Sequence, residues 1–124
     1  MRREQRLRHR KDFAAADRLG VSRGNRLLVV RVRPNGGTHT RWGFVTGKII
    51  GGAVVRNLVK RRLREAARTI PVPPGVDIVV GARKPAATAE YETLRRSLVT
   101  LFSRNQSNQS HEPAAVRTQT QEQA

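Results

Sequence analysis

Cysteine is absent from the 124 residues, which excludes disulfides, thiolate catalysis and Cys-ligated zinc and agrees with a reducing compartment. Long apolar runs are absent as well. Nothing approaches the roughly 18 to 20 consecutive residues of a membrane-spanning helix, and no long amphipathic anchor stands in for one. A membrane is therefore not an expected partner. The basic opening MRREQRLRHRK lacks the apolar segment that follows in a signal peptide, so the expected location is the cytoplasm. Acids are few, nine Asp and Glu against 25 Lys and Arg, and the formal net charge of +16 exceeds what solubility needs. Such an excess calls for a polyanionic partner, nucleic acid first. Lysine is scarce in turn, confined to Lys11, Lys48, Lys60 and Lys84. The dominant arginine forks onto phosphate and stacks on bases, although a GC-rich genome produces the same bias.

The scarcity of acids also bears on catalysis. Glu4, Asp12, Asp17, Glu65, Asp77, Glu90, Glu92, Glu112 and Glu122 are scattered, and none forms a compact carboxylate motif for two-metal hydrolysis. His9, His39 and His111 have no partner at metal-ligand spacing. Neither a metal site nor a catalytic residue is expected in the protein.

A chain of this length makes one small domain around one core. The expected division is a single RNA-binding α/β domain over 1–104 and a disordered polar tail over 105–124, where Gln, Asn, Ser and Thr dominate. A short helix is expected from Lys11 to Arg18, with Phe13 and the alanines 14 to 16 on its apolar side, broken by Gly20 and Gly24. LLVVRVR at 27 to 33 reads as a strand with Leu28, Val30 and Val32 on one face and Val29, Arg31 and Arg33 on the other. PNGG at 34 to 37 has strong turn chemistry, and Trp42 to Lys48 follows as a strand with Trp42, Phe44 and Thr46 to one side. These two strands are predicted to form an antiparallel pair. A helix from Ala53 to Thr69 ends at PVPP, and Val76 to Ala82 reads as a buried strand. Thr88 can then cap a last helix, whose face is Tyr91, Leu94, Leu98, Leu101 and Phe102.

The helix after the double glycine is two-faced. At about 100° per residue, Val55, Val59, Leu63, Ala66 and Ile70 share one arc, while Arg56, Asn57, Lys60, Arg61, Arg64 and Arg68 share the opposite one. Arg56, Lys60, Arg64 and Arg68 form a ribbon at four-residue spacing, and like charges so placed repel by a few tenths of a kcal/mol per pair. Helix stability alone does not explain such a ribbon, whereas a phosphate backbone does. Gly51 and Gly52 would let helix amides approach a phosphate, or simply turn the chain between strand and helix.

RLRHRKDF at 6 to 13, WGFVTGK at 42 to 48, GGAVVRNLVKRRLRE at 51 to 65, and DIVVGARKPA with YETLRRSLVTLF across 77 to 102 together resemble the protein subunit of bacterial ribonuclease P, the RNA enzyme that trims the 5′ leader of precursor tRNA. The resemblance implies an α+β two-layer sandwich of the ribosomal-protein type, with a roughly four-stranded, mostly antiparallel sheet packed on helices. It also implies a left-handed βαβ crossover through the basic helix, where ordinary connection rules predict a right-handed one. The partners it implies are the ribonuclease P RNA and precursor tRNA, with one protein monomer per RNA. Catalysis, and the Mg2+ it needs, would belong to the RNA.

Carried over by the same resemblance, the contacts to the catalytic RNA are Arg56, Asn57, Lys60, Arg61 and Arg64, with Lys48 at a common family lysine; the reading of the helix itself adds Gly51, Gly52 and Arg68 as expected contacts, and Arg62 joins them as an expected substitute. The 5′-leader cleft is Phe13, Arg31 and Arg33. Departures from the family pattern are informative. Leu58 stands where an arginine is usual, with Arg62 one turn away as its expected substitute, and Ile49 replaces a lysine. Asp17 and Arg31 replace aromatics, which thins base stacking and leaves Phe13 and the Arg31 plane to hold the leader. Phe13 can equally be a core residue that pins the first helix. A structural ribosomal protein would share the size and charge. A DNA-binding regulator would need a short helix just before the basic one at helix-turn-helix spacing, and the sequence offers none there.

Overall fold

The computed structural model describes residues 5–7 and 10–109. The elements run α1 (Arg10–Leu19), β1 (Val21–Gly24), β2 (Leu28–Pro34), β3 (Arg41–Val45), a short 3-10 helix (Lys48–Ile50), α2 (Ala53–Arg68), β4 (Val76–Ala82), a second 3-10 helix (Lys84–Thr88) and α3 (Tyr91–Gln109). One four-stranded sheet has the order β1-β2-β4-β3. β2 is antiparallel to both β1 and β4, and β3 is parallel to β4. The expected α+β sandwich is therefore present, with α2 joining its one parallel pair.

The expected pairing of the two strands around PNGG is corrected: β4 lies between them. β2 pairs with β4 over its whole length, from Leu28↔Ala82 to Pro34↔Val76. The reason is burial, since all five residues from Val76 to Val80 are enclosed, and a run buried on both faces belongs at a sheet's centre. The PNGG segment turns toward β4 instead, with the Asn35 N–H donating to the Gly75 carbonyl at 2.8 Å. The β3 strand also stops at Val45, so Thr46 lies beyond it. β1 was not expected; four residues ending in glycine carry little strand signal.

Alternation divides the sheet into two faces. On the inner face, Leu28, Val30, Val32, Trp42, Ile78 and Val80 pack against Val59, Leu63 and Ala66 of α2 and Leu94, Leu98, Leu101 and Phe102 of α3. Trp42 stacks on Phe44, with ring centroids 5.9 Å apart. On the outer face, α1 packs over β2 and β4, and Phe13 joins Leu7 and Val79 in a small second cluster. The Leu7 N–H donates to the Trp42 carbonyl at 2.8 Å, which fastens the N-terminal segment along β3.

Two further boundaries shift. Thr88 closes the second 3-10 helix instead of capping α3, whose first turn is marked by the Leu94 N–H on the Glu90 carbonyl at 3.0 Å. The domain does not end at 104, because α3 runs to Gln109 and Asn105 is fully buried. Asn105 continues the inward stripe of Leu98, Leu101 and Phe102, and its Nδ2 donates to the carbonyls of Val21 at 2.9 Å and Val30 at 3.2 Å. The rest of the expected tail, 110–124, lies outside the described residues.

Candidate nucleic-acid interface

Gly51 has φ 145°, a backbone that side chains rarely adopt, and it releases the chain from the 3-10 helix into α2. Gly52 is the N-cap; no side chain caps the helix and no acid sits in its first turn. That end carries the positive pole of the helix dipole with its first amides uncapped by any side chain, an arrangement suited to an anion.

Val59, Leu63, Ala66 and Ala67 are buried along α2. Ala67 widens the apolar arc toward the basic side, so the expected ribbon is graded: Arg56, Lys60 and Arg64 are half-buried, while Arg68 is exposed with Asn57 and Arg61. Arg68 meets Glu65 at 3.1 Å, an exposed pair of little energetic weight. The Arg56 Nε is buried without a hydrogen-bond partner. Lys48 is exposed on the approach to the helix.

Arg62, expected to replace an arginine at Leu58, also has a partner within the fold: its Nη1 donates to the Ala89 carbonyl at 2.9 Å. Sequence reasoning also missed two solvent-facing apolar side chains that flank the glycines, Ile49 at 68% and Val54 at 83% exposure.

The second basic surface is the sheet's outer face, which the register arranges in cross-strand rows. Arg33, Asp77 and Arg41 form one row; Arg31, Val79 and Gly43 form the next; Val29, Gly81 and Val45 form a third. Phe13 lies over Gly43 so closely that a Cβ there would fall 2.5 Å from its Cε1. Phe13 therefore pins α1 to the sheet. Half-buried Arg31 lies in the same row, on the far side of Val79. Arg33 does not stand alone, since its Nη2 is 3.7 Å from the carboxylate of Asp77. Asp77 was only one of the scattered acids in the sequence, because its partners come from the strands on either side.

Elsewhere, hydrogen bonds from Arg95 and the nearby charges of Arg95 and Arg96 hold the Glu92 carboxyl down at about 2. Burial, followed by the Arg104 charge, lowers the pKa of Arg23 on β1. Among the described residues no three His, Asp or Glu side chains gather where a metal could bind, and no helix is long and apolar enough to cross a membrane.

A family model described as Ribonuclease P matches residues 1–106. The chain belongs to the ribonuclease P protein family. The ribonuclease P protein component of Streptomyces bikiniensis is 47% identical over 107 residues, covering 77% of this chain and 86% of that one. Its counterpart in Kocuria rhizophila is 47% identical over 93 residues, covering 73% and 82%. Among solved structures, the RNase P protein of Staphylococcus aureus at 2.0 Å resolution matches with a TM-score of 0.73 and 31% identity, over 80% of this chain and 93% of that one. That of Thermotoga maritima matches at 0.70 with 37% identity, over 77% and 93%. The mixed sheet with α2 between its parallel strands is thus a ribonuclease P protein fold, and the two basic surfaces are features of a member of that family.

Proposed function

We propose that the chain is the cytoplasmic protein subunit of ribonuclease P, one copy per catalytic RNA, and that it binds that RNA through α2 and the 5′ leader of precursor tRNA on the outer sheet face. The observation that carries this reading, beside family membership, is α2 itself. One face is buried in the core, and the other presents Arg56, Asn57, Lys60, Arg61, Arg64 and Arg68 with Glu65 as the helix's single acid. Such a face neutralises crowded phosphates and releases counterions, which lowers the Mg2+ that the RNA needs to fold and cleave. Lys48 and the Gly51–Gly52 amides extend it.

Among the described residues no three acids or histidines gather that would hold a resident Mg2+, and the fully buried carboxylate of Asp77 is engaged by Arg41 and Asn35. The ion and the hydrolysis belong to the RNA, and the protein's residues bind and orient.

The test is cleavage of a leader-bearing precursor tRNA by the cognate ribonuclease P RNA at low Mg2+, with and without the protein. Acceleration that requires both components is the expected result. A rate unchanged by the protein, with equal binding to ribosomal RNA, would reduce α2 to a generic phosphate reader.

A further inference from the structure

We propose that Asp77 is a positioning residue of the leader cleft: its buried carboxylate holds Arg33 down on the outer face in line with Arg31, so that the two arginines form one phosphate-binding rail along β2. This rests on the leader-cleft reading above. An unpaired carboxylate in a central strand is costly, and Asp77 is fully buried. Arg41 answers it with a two-pronged contact, Nε to Oδ1 at 2.9 Å and Nη2 to Oδ2 at 2.8 Å. One cation neutralises one acid, so the Arg33 Nη2 at 3.7 Å from Oδ2 is a second positive charge in a row that is already balanced. The row's surplus therefore sits on the β2 side.

Arg31 and Arg33 are two residues apart on one face of β2, roughly 6 to 7 Å along the strand. A free arginine samples many rotamers, and anchoring one edge of its fork removes that freedom before ligand arrives. The Arg33 Nε is buried without a hydrogen-bond partner, which fits a side chain drawn down onto the sheet by its far end. Asn35 ties the neighbouring loop to the same carboxylate: its Nδ2 donates to Asp77 Oδ1 at 2.9 Å and to the His39 carbonyl at 3.0 Å, and its Oδ1 accepts the Gly37 N–H at 2.7 Å. Asp77 acts on the leader through Arg33 without touching it.

The reconstituted holoenzyme supplies the test, as the ratio of affinities for precursor tRNA with its leader and for mature tRNA without one. Arg33→Ala and Asp77→Asn should each lower that ratio about tenfold. The salt slope of the leader-dependent part should fall by about 0.7, the value of one single-strand phosphate. The double variant should be no worse than Arg33→Ala, because the two act in series. Additive losses would overturn the proposal. Should Asp77→Asn fail to fold, Arg33→Ala decides alone, since it leaves the Asp77–Arg41 pair intact; an unchanged ratio refutes the rail. Phe13→Ala separates the two levels of the argument. If it lowers the ratio while Arg33→Ala does not, only the rail is wrong, whereas a wild type blind to the leader removes the cleft and the rail together.

Discussion

The Arg62 guanidinium reaches across from α2 to donate to the carbonyl of Ala89 at 2.9 Å, binding the helix flank to the segment that enters α3. Its neighbour Arg61 points to solvent. Arg62→Ala should therefore lower stability by roughly 1 to 2 kcal/mol, the scale of a partly exposed charged hydrogen bond, as read by thermal melting. Arg61→Ala should leave the melt in place and weaken binding to ribonuclease P RNA. A stable Arg62→Ala variant with reduced RNA affinity would instead return Arg62 to the RNA.

Phe13 and Gly43 should behave as one unit. Gly43→Ala places a methyl 2.5 Å from the ring, and overpacking of that kind costs roughly 1 to 3 kcal/mol. Adding Phe13→Leu should recover part of the loss in a denaturant titration, and failure to recover any would mean the clash lies elsewhere. Phe13→Ala alone should cost roughly 1 to 3 kcal/mol of leader binding if the ring also stacks on a base.

Asn105 should prove to be a structural residue. Asn105→Ala removes the donor that serves the Val21 and Val30 carbonyls, a buried loss of roughly 1 to 3 kcal/mol. A chain cut after Arg104 should melt below one cut after Gln109, and equal melting would return the domain boundary to 104.

Glu92 is the acid with the clearest titration signature. Hydrogen bonds from Arg95, at 2.9 and 2.7 Å, hold its carboxyl at about 2 against a usual 4.5. A depressed folded value means the stabilisation is present above pH 4.5 and is lost as the pH falls through about 2. NMR titration should show Glu92 protonating well below the usual carboxylate value of 4.5. Glu92→Gln should flatten the stability curve in that acid window, lowering stability near neutrality and leaving it unchanged below about pH 2.

Much of this was legible because it is local. The arc of Val59, Leu63 and Ala66, the buried run of β4 and the stripe on α3 are each set by side-chain periodicity within one element. The sheet order was not, because PNGG has hairpin chemistry and only the double burial of Val76–Val80 indicates that a strand with two neighbours must intervene. Helical spacing picks out the ribbon of Arg56, Lys60, Arg64 and Arg68, whereas the expected assignment of contacts to a particular RNA comes from motif resemblance. Arg62–Ala89 and Asp77–Arg41 were invisible in the sequence, since their partners lie 27 and 36 residues apart. A lone acid in a strand shows nothing of the arginines that flank it until the register is known.

The central place of β4 also orders the protein's birth. β4 is the last strand to be synthesised and the one that pairs with both β2 and β3, so a nascent chain that has emerged only as far as α2 lacks the piece that joins its sheet. Pairings between distant segments form late and slowly. The cation-rich helix is thus made before the scaffold that orients it, and the placement of its basic face cannot form before the middle of the sheet arrives.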